Sequence, residues 1–143
     1  MIKVLFVCHG NIGRSPMAEF VMKDMVKNAG LSSQFYIASA AVSREELGNP
    51  VYPPARRELA KHGVSCEGHA ARQVTLEDYH YFDRIYYMDG SNARYLRRLF
   101  GDKADKCQPL LSWDVADPWY TGDFAETWRD IVAGCEKIME EFA

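Results

Sequence analysis

An uninterrupted apolar run, Val4-Leu5-Phe6-Val7, ends on Cys8 and passes through His9-Gly10-Asn11-Ile12-Gly13 to Arg14-Ser15-Pro16. This junction constrains the fold more than any other stretch. A run without polar alternation predicts a strand over 2–7 that is buried on both faces, as parallel strands are. Ser15 then suits a helix N-cap and Pro16 the first helical position. Ala18, Val21, Met22, Met25 and Ala29 continue as an apolar stripe at helical spacing, with Gly30 as the stop.

Further along, a second strand is expected around Phe35–Ala38, leading into Ser39 and a loop of charged and turn residues through Pro54. A helix over 55–62 has Gly63 behind it. Thr75, followed by Glu77 and Asp78, marks another short helix start. Arg84–Met88 reads as a strand with Asp89 at its carboxyl end, and Ser91 as the cap of a helix holding Tyr95, Leu96 and Leu99. Pro109-Leu110-Leu111 is a short strand. Trp128, Ile131, Val132, Cys135, Ile138, Met139 and Phe142 form the core-facing side of a long C-terminal helix. Alternating strands and helices imply an α/β fold, a parallel sheet with right-handed crossovers and helices on both faces. Ligands of such sheets bind beyond the carboxyl ends of the strands, where Cys8, Ser39 and Asp89 each follow a predicted strand.

The length, 143 residues, suits one domain spanning 1–143 with a sizeable core. A 48% apolar and 26% charged composition is that of a globular protein. A net charge of -3 argues against nucleic acid as the main partner. The apolar N-terminus turns polar by His9, too early for an export signal, and no later run approaches membrane-spanning length. A cytoplasmic, non-membrane protein is therefore expected, with its four cysteines reduced. Cys8, Cys66, Cys107 and Cys135 include no CxxC pair, so no zinc site or thioredoxin-like motif is indicated. The last three are expected as small core residues. His62 and His80 are expected at the surface.

Cys8 stands apart. A C-x5-R loop between strand and helix offers a phosphoryl group a nest of backbone N–H groups, a helix N-terminus and the guanidinium fork of Arg14. The same helix terminus and arginine favour thiolate over thiol. That thiolate could attack phosphorus in line, and Ser15 could donate a hydrogen bond that helps the sulfur leave. A lone cysteine near a lone arginine would be an ordinary buried thiol. The glycine-bearing loop between them, after a strand and before Ser-Pro, reverses those odds. Such chemistry also needs a general acid. The best candidate is Asp117, in Ala116-Asp117-Pro118-Trp119-Tyr120, where a proline stiffens the loop and two aromatics could wall a substrate ring. Taken alone, Asp-Pro is a turn initiator. It becomes functional in company with Cys8.

These stretches together resemble the low-molecular-weight protein tyrosine phosphatases. Val7–Pro16, Ser39-Ala40-Ala41, Gly48-Asn49-Pro50, His69-Ala70-Ala71-Arg72-Gln73, Met88-Asp89-Gly90-Ser91-Asn92 and Asp117-Pro118-Trp119-Tyr120 carry the resemblance over nearly the whole chain. It implies a four-stranded parallel sheet in a Rossmann-like three-layer arrangement, no metal and no cofactor. It implies Cys8 as nucleophile, Arg14 as phosphate clamp and Asp117 as general acid, then base. The phosphate-binding loop would be His9, Gly10, Asn11, Ile12, Gly13, Arg14 and Ser15. Asn11, Ser15, Ser39 and His69 would hold that loop, with Asp89 near the arginine. Ile12, Glu45, Trp119 and Tyr120 would line the substrate. The implied partner is a phosphotyrosine-containing protein, such as a bacterial tyrosine kinase or its substrates, acted on by a monomer.

Three residues depart from the family pattern. Gly13 replaces the second cysteine that usually precedes the arginine, which removes the nearby partner for an oxidised Cys8. Glu45, flanked by Arg44 and Glu46, stands where an aromatic wall is usual, so a more open and more charged cleft is expected. His9 replaces a small or apolar residue and is expected to face solvent. Protein arginine phosphatases share the scaffold, but Ile12 looks like the tyrosine-specific choice. Arsenate reductase needs clustered cysteines, and Cys66, Cys107 and Cys135 are widely spaced. Cys8, Arg14 and Asp117 together argue against a non-catalytic phosphate-binding module.

Overall fold

The computed structural model describes residues 1–142. Four strands, β1 (Ile2–Cys8), β2 (Phe35–Ala41), β3 (Arg84–Tyr87) and β4 (Cys107–Pro109), form one parallel sheet in the order β2-β1-β3-β4. β1 is central: Ile2 to Cys8 register with Phe35 to Ala41 on one side, and Val4 to Val7 with Arg84 to Tyr87 on the other. Because side chains alternate along a strand, β1 feeds two cores. Val4, Phe6 and Cys8 join one cluster, Leu5 and Val7 the other. This double burial is why the run carries no polar alternation.

The helices are α1 (Arg14–Asn28), α2 (Pro53–Lys61), α3 (Leu76–Tyr81), α4 (Gly90–Phe100), α5 (Pro118–Thr121) and α6 (Phe124–Glu141). The first cluster packs Met17, Val21 and Met22 of α1, Leu59 of α2, and Ile131, Cys135 and Ile138 of α6 against one face of the sheet. Leu96 and Phe100 of α4, with Phe82, Ile85 and Cys107, cover the other. Each fully buried aliphatic or aromatic side chain contributes about 1.5–3 kcal/mol.

Several local expectations are corrected. α1 starts at Arg14 with Gly13 as its N-cap, so Ser15 lies inside the first turn; its hydroxyl is committed to Cys8 and Asn11. Likewise Asp89, not Ser91, caps α4, its side chain accepting from the Asn92 N–H at 2.9 Å. Ser39 lies within β2, which runs on to Ala41. Of Pro109-Leu110-Leu111 only Pro109 is in β4, and the two leucines are buried in the loop beyond it. On α1 the buried stripe uses Val26, and Ala29 is exposed. Thr75 does open α3, in a reciprocal capping box with Asp78. Cys66, Cys107 and Cys135 are buried, and His62 and His80 are exposed, as anticipated.

Candidate active site

β1 ends on Cys8 at the carboxyl edge of the sheet, and α1 begins at Arg14. The turn between them passes through Asn11 at φ 62°, a left-handed conformation that asparagine adopts more readily than most residues. Fully buried Asn11 is held by four contacts. Its Nδ2 donates to Ser15 Oγ and to Ser39 Oγ, each at 2.9 Å, and its Oδ1 accepts from the Arg72 N–H at 3.2 Å. Its main-chain oxygen accepts from His69 Nε2 at 2.7 Å. A carbonyl can only accept, so Nε2 of His69 carries the proton.

Two donors converge on the sulfur. Ser15 Oγ lies 3.0 Å from Cys8 Sγ, and the Asn11 N–H donates to Sγ at 3.3 Å. The Asn11 amide already donates to the Ser15 hydroxyl, which leaves that hydroxyl's hydrogen for the sulfur; the Ala40 carbonyl, at 3.4 Å, competes weakly. Hydrogen bonds to an ionised acceptor are the strong ones, so this geometry suits a thiolate. The other thiols are chemically different. Burial pushes Cys66 and Cys135 up, and Cys107 up to about 11, as for inert core cysteines.

Arg14, buried in the first turn of α1, organises the opposite side. Its Nη1 donates to the Val115 carbonyl at 2.9 Å and lies 2.9 Å from Asp89 Oδ2. Its Nη2 is 3.4 Å from Asp117 Oδ2. Asp117 Oδ1 accepts from the Trp119 N–H at 3.0 Å, which makes Asp117 the cap of α5. The loop carrying it is anchored from two directions. The Val115 N–H donates to the Met88 carbonyl at 2.9 Å, and buried Thr127 of α6 donates to the Ala116 carbonyl at 2.9 Å.

Above these groups lies a cleft of about 490 Å³ whose lining includes Cys8, Arg14, Asp117, Ile12, Glu45, Trp119 and Tyr120. Trp119 and Tyr120 are 66% and 84% exposed, an unusual display for large aromatics. Tyr52, at the start of α2, packs its ring 5.5 Å from Trp119 and donates its N–H to the Ile12 carbonyl at 2.8 Å. His9 is not simply solvent-facing: its Nε2 lies 3.0 Å from Glu45, and its ring packs against Tyr95 in a T-shaped contact with centroids 5.4 Å apart. Gly13 is open; a Cβ built there meets nothing within 4 Å. Among the described residues, no group of three or more His, Cys, Asp or Glu could hold a metal ion.

The structure thus brings Cys8, Arg14, Asp89 and Asp117 together, with Asn11, Ser15, Ser39 and His69 behind the loop. The sequence reasoning missed four contributors. Glu19 is a buried carboxylate on α1 that accepts from Ser39 Oγ at 2.6 Å and pairs with Lys23 at 2.6 Å. Its signal was there, one turn beyond Ser15 and one before Lys23, the spacing of facing residues on a helix. Tyr52, Tyr95 and the Arg72 N–H gave no such signal, because only the fold brings them to the cleft or its loop.

With this geometry established, relatives become informative. The family model for low molecular weight phosphotyrosine protein phosphatase matches residues 3–143. The chain belongs to that family. It is 40% identical to the low molecular weight protein-tyrosine-phosphatase YfkJ of Bacillus subtilis, over 97% of this chain and 94% of that one. The crystal structure of YfkJ matches with a TM-score of 0.95 at 38% identity, covering 99% of this chain and 94% of that one. The Streptococcus pyogenes low molecular weight protein tyrosine phosphatase gives 0.93 at 36% identity, covering 100% and 94%. A Drosophila arginine phosphatase gives 0.88 at 29% identity, covering 99% and 98%. Among the described residues, no helix is long and apolar enough to cross a membrane.

Proposed function

We propose that this chain hydrolyses phosphotyrosine in proteins, and small aryl phosphates, through a phosphocysteine intermediate. One observation carries the reading: the Cys8 sulfur, met by two hydrogen-bond donors, lies in the same cleft as Arg14 and Asp117. In the first step the Cys8 thiolate forms a bond to phosphorus while the phosphorus–oxygen bond to the phenol breaks. Asp117 gives its proton to the departing oxygen. Arg14 and the loop N–H groups hold the equatorial oxygens. A dianion on Arg14 competes with the 3.4 Å Asp117 contact and frees that side chain to face the leaving oxygen. In the second step Asp117 takes a proton from water as water attacks phosphorus. The sulfur–phosphorus bond breaks and its electron pair returns to sulfur, where Ser15 and the Asn11 N–H receive it. Asn11, Ser39 and His69 keep the loop in shape, and Asp89 orients Arg14.

Ile12, Tyr52 and Trp119 give the cleft an apolar side suited to a phenyl ring, which favours phosphotyrosine over phosphoarginine. We assign the whole chain to one phosphatase domain, acting as a monomer in the cytoplasm on a tyrosine kinase or its substrates. The test compares turnover of an aryl phosphate, a phosphotyrosine peptide and a phosphoarginine peptide. Cys8→Ser is expected to abolish hydrolysis while retaining phosphate binding, and Asp117→Ala to slow it by about a hundredfold or more. Faster turnover of phosphoarginine would reassign the substrate. An inactive wild type that still binds phosphate would make the chain a binding module.

A further inference from the structure

A protein substrate must lay the chain on either side of its phosphotyrosine across the rim of the cleft. On the 42–52 side that rim is formed by Glu45 and Glu46, beside His9 of the phosphate loop. Neither carboxylate is committed to a lysine or arginine. Glu45 pairs with His9 Nε2 at 3.0 Å and is itself two-thirds exposed. Glu46 accepts from Asn49, an uncharged partner, at 2.6 Å. The other carboxylates in the cleft, Asp89 and Asp117, are engaged with Arg14, the cation that lies in the phosphate cradle. Arg44 is exposed but does not line the cleft. The outer wall therefore presents negative charge, although the floor is built for a dianion. His9 contacts both Glu45, at 3.0 Å, and the ring of Tyr95, in a T-shaped arrangement with centroids 5.4 Å apart, which places it at this wall.

We infer that Glu45 and Glu46 are specificity residues that make the enzyme prefer a phosphotyrosine flanked by lysine or arginine, and that His9, paired with Glu45, tempers that preference. This rests on the phosphotyrosine reading above. A basic flanking residue gains the attraction of both carboxylates, while an acidic one meets repulsion from the same groups. When protonated, His9 opposes the first effect by occupying Glu45. The wall acts on the flanking chain, not on the reacting phosphoryl group, so it discriminates between peptides rather than between phosphates.

The experiment uses three phosphotyrosine peptides, identical except that lysine, glutamine or glutamate flanks the phosphotyrosine on both sides. A small aryl phosphate is assayed in parallel. Values of kcat/KM are compared between peptides on the same enzyme, so any general change in activity cancels. In low salt the wild type is expected to favour the lysine peptide over the glutamate peptide by roughly tenfold. The preference is expected to shrink as salt screens the rim. Glu45→Gln with Glu46→Gln should erase it, and His9→Gln, by freeing Glu45, should enlarge it. Equal or acidic preference in the wild type, a preference insensitive to salt, or one that survives the double substitution would overturn the inference. Failure of the wild type to hydrolyse the aryl phosphate and all three peptides would instead sink the phosphatase reading, and the flank preference with it.

Discussion

Ser15 Oγ lies 3.0 Å from Cys8 Sγ although Ser15 belongs to the first turn of α1. The helix thus supplies a side-chain donor to the sulfur at its own mouth. Ser15→Ala removes a hydrogen bond to an ionised leaving group, worth about 1.5–3 kcal/mol. The expected result is a fall in kcat of about tenfold to a hundredfold on an aryl phosphate. Breakdown of phosphocysteine then becomes slow, so rapid mixing should show a burst of phenol. An unchanged kcat would mean that the hydroxyl serves only the fold.

The open space at Gly13 makes a second experiment possible. Peroxide is expected to inactivate the wild type at Cys8, with no disulfide inside the loop in the intact mass or peptide map. Gly13→Cys finds open space for its Cβ and should place a thiol next to the sulfenic acid. Its activity should then return on addition of a reducing thiol. A Cys8 disulfide in the oxidised wild type would reveal a different resolving partner.

Gly134 presents a conflict between local and tertiary preference. Alanine is the better helix former by about 0.5–1 kcal/mol. A Cβ at this position in α6, however, would sit 2.4 Å from Leu110 Cγ and 2.7 and 2.8 Å from its methyl carbons. Overpacking a buried contact costs about 1–3 kcal/mol, so Gly134→Ala is expected to lower the melting temperature. Combining it with Leu110→Ala should cost less than the two single losses added together. A raised melting temperature for Gly134→Ala would show that Leu110 moves freely.

The buried thiols predict alkaline sensitivity. Burial raises Cys107 from 9.0 to about 11, so the folded chain holds that proton more tightly than the unfolded chain. The associated stability is complete below about pH 9 and is lost as pH climbs toward about 11, a change of about 3 kcal/mol. Cys135, Tyr86 and Tyr87, also pushed up chiefly by burial, add to the same slope. Cys107→Ala should therefore flatten part of the decline in urea-unfolding free energy across that window. An identical slope would place the titration elsewhere.

Much of this molecule was legible because its chemistry is local in sequence. Cys8, Arg14 and Ser15 share one junction, and the run before them is apolar on both faces, so the strand, the turn and the helix all announce themselves. The two misplaced caps have a common cause. Ser15 and Ser91 look like caps by type, but Ser15 is engaged by sulfur and Asn11, and Asp89 reaches the Asn92 N–H. What stayed hidden depends on distance along the chain. The Arg72 N–H on Asn11, Tyr52 against Trp119 and the Val115 carbonyl on Arg14 are contacts that only the folded topology creates. Glu45 shows both sides: its charge was readable, but its pairing with His9 was not.

The place of β1 between β2 and β3 has a thermodynamic consequence. The loop carrying the sulfur grows directly from a strand whose Val4, Leu5, Phe6 and Val7 are wholly buried. Opening that loop means disturbing both faces of the sheet, so its backbone is held in one conformation while its free N–H groups face the cleft. The configurational entropy of the cradle is then lost once, when the chain folds, and not again at each encounter with an oxyanion. Vanadate and phosphate should accordingly bind without a slow isomerisation, their association rates set by collision and charge alone.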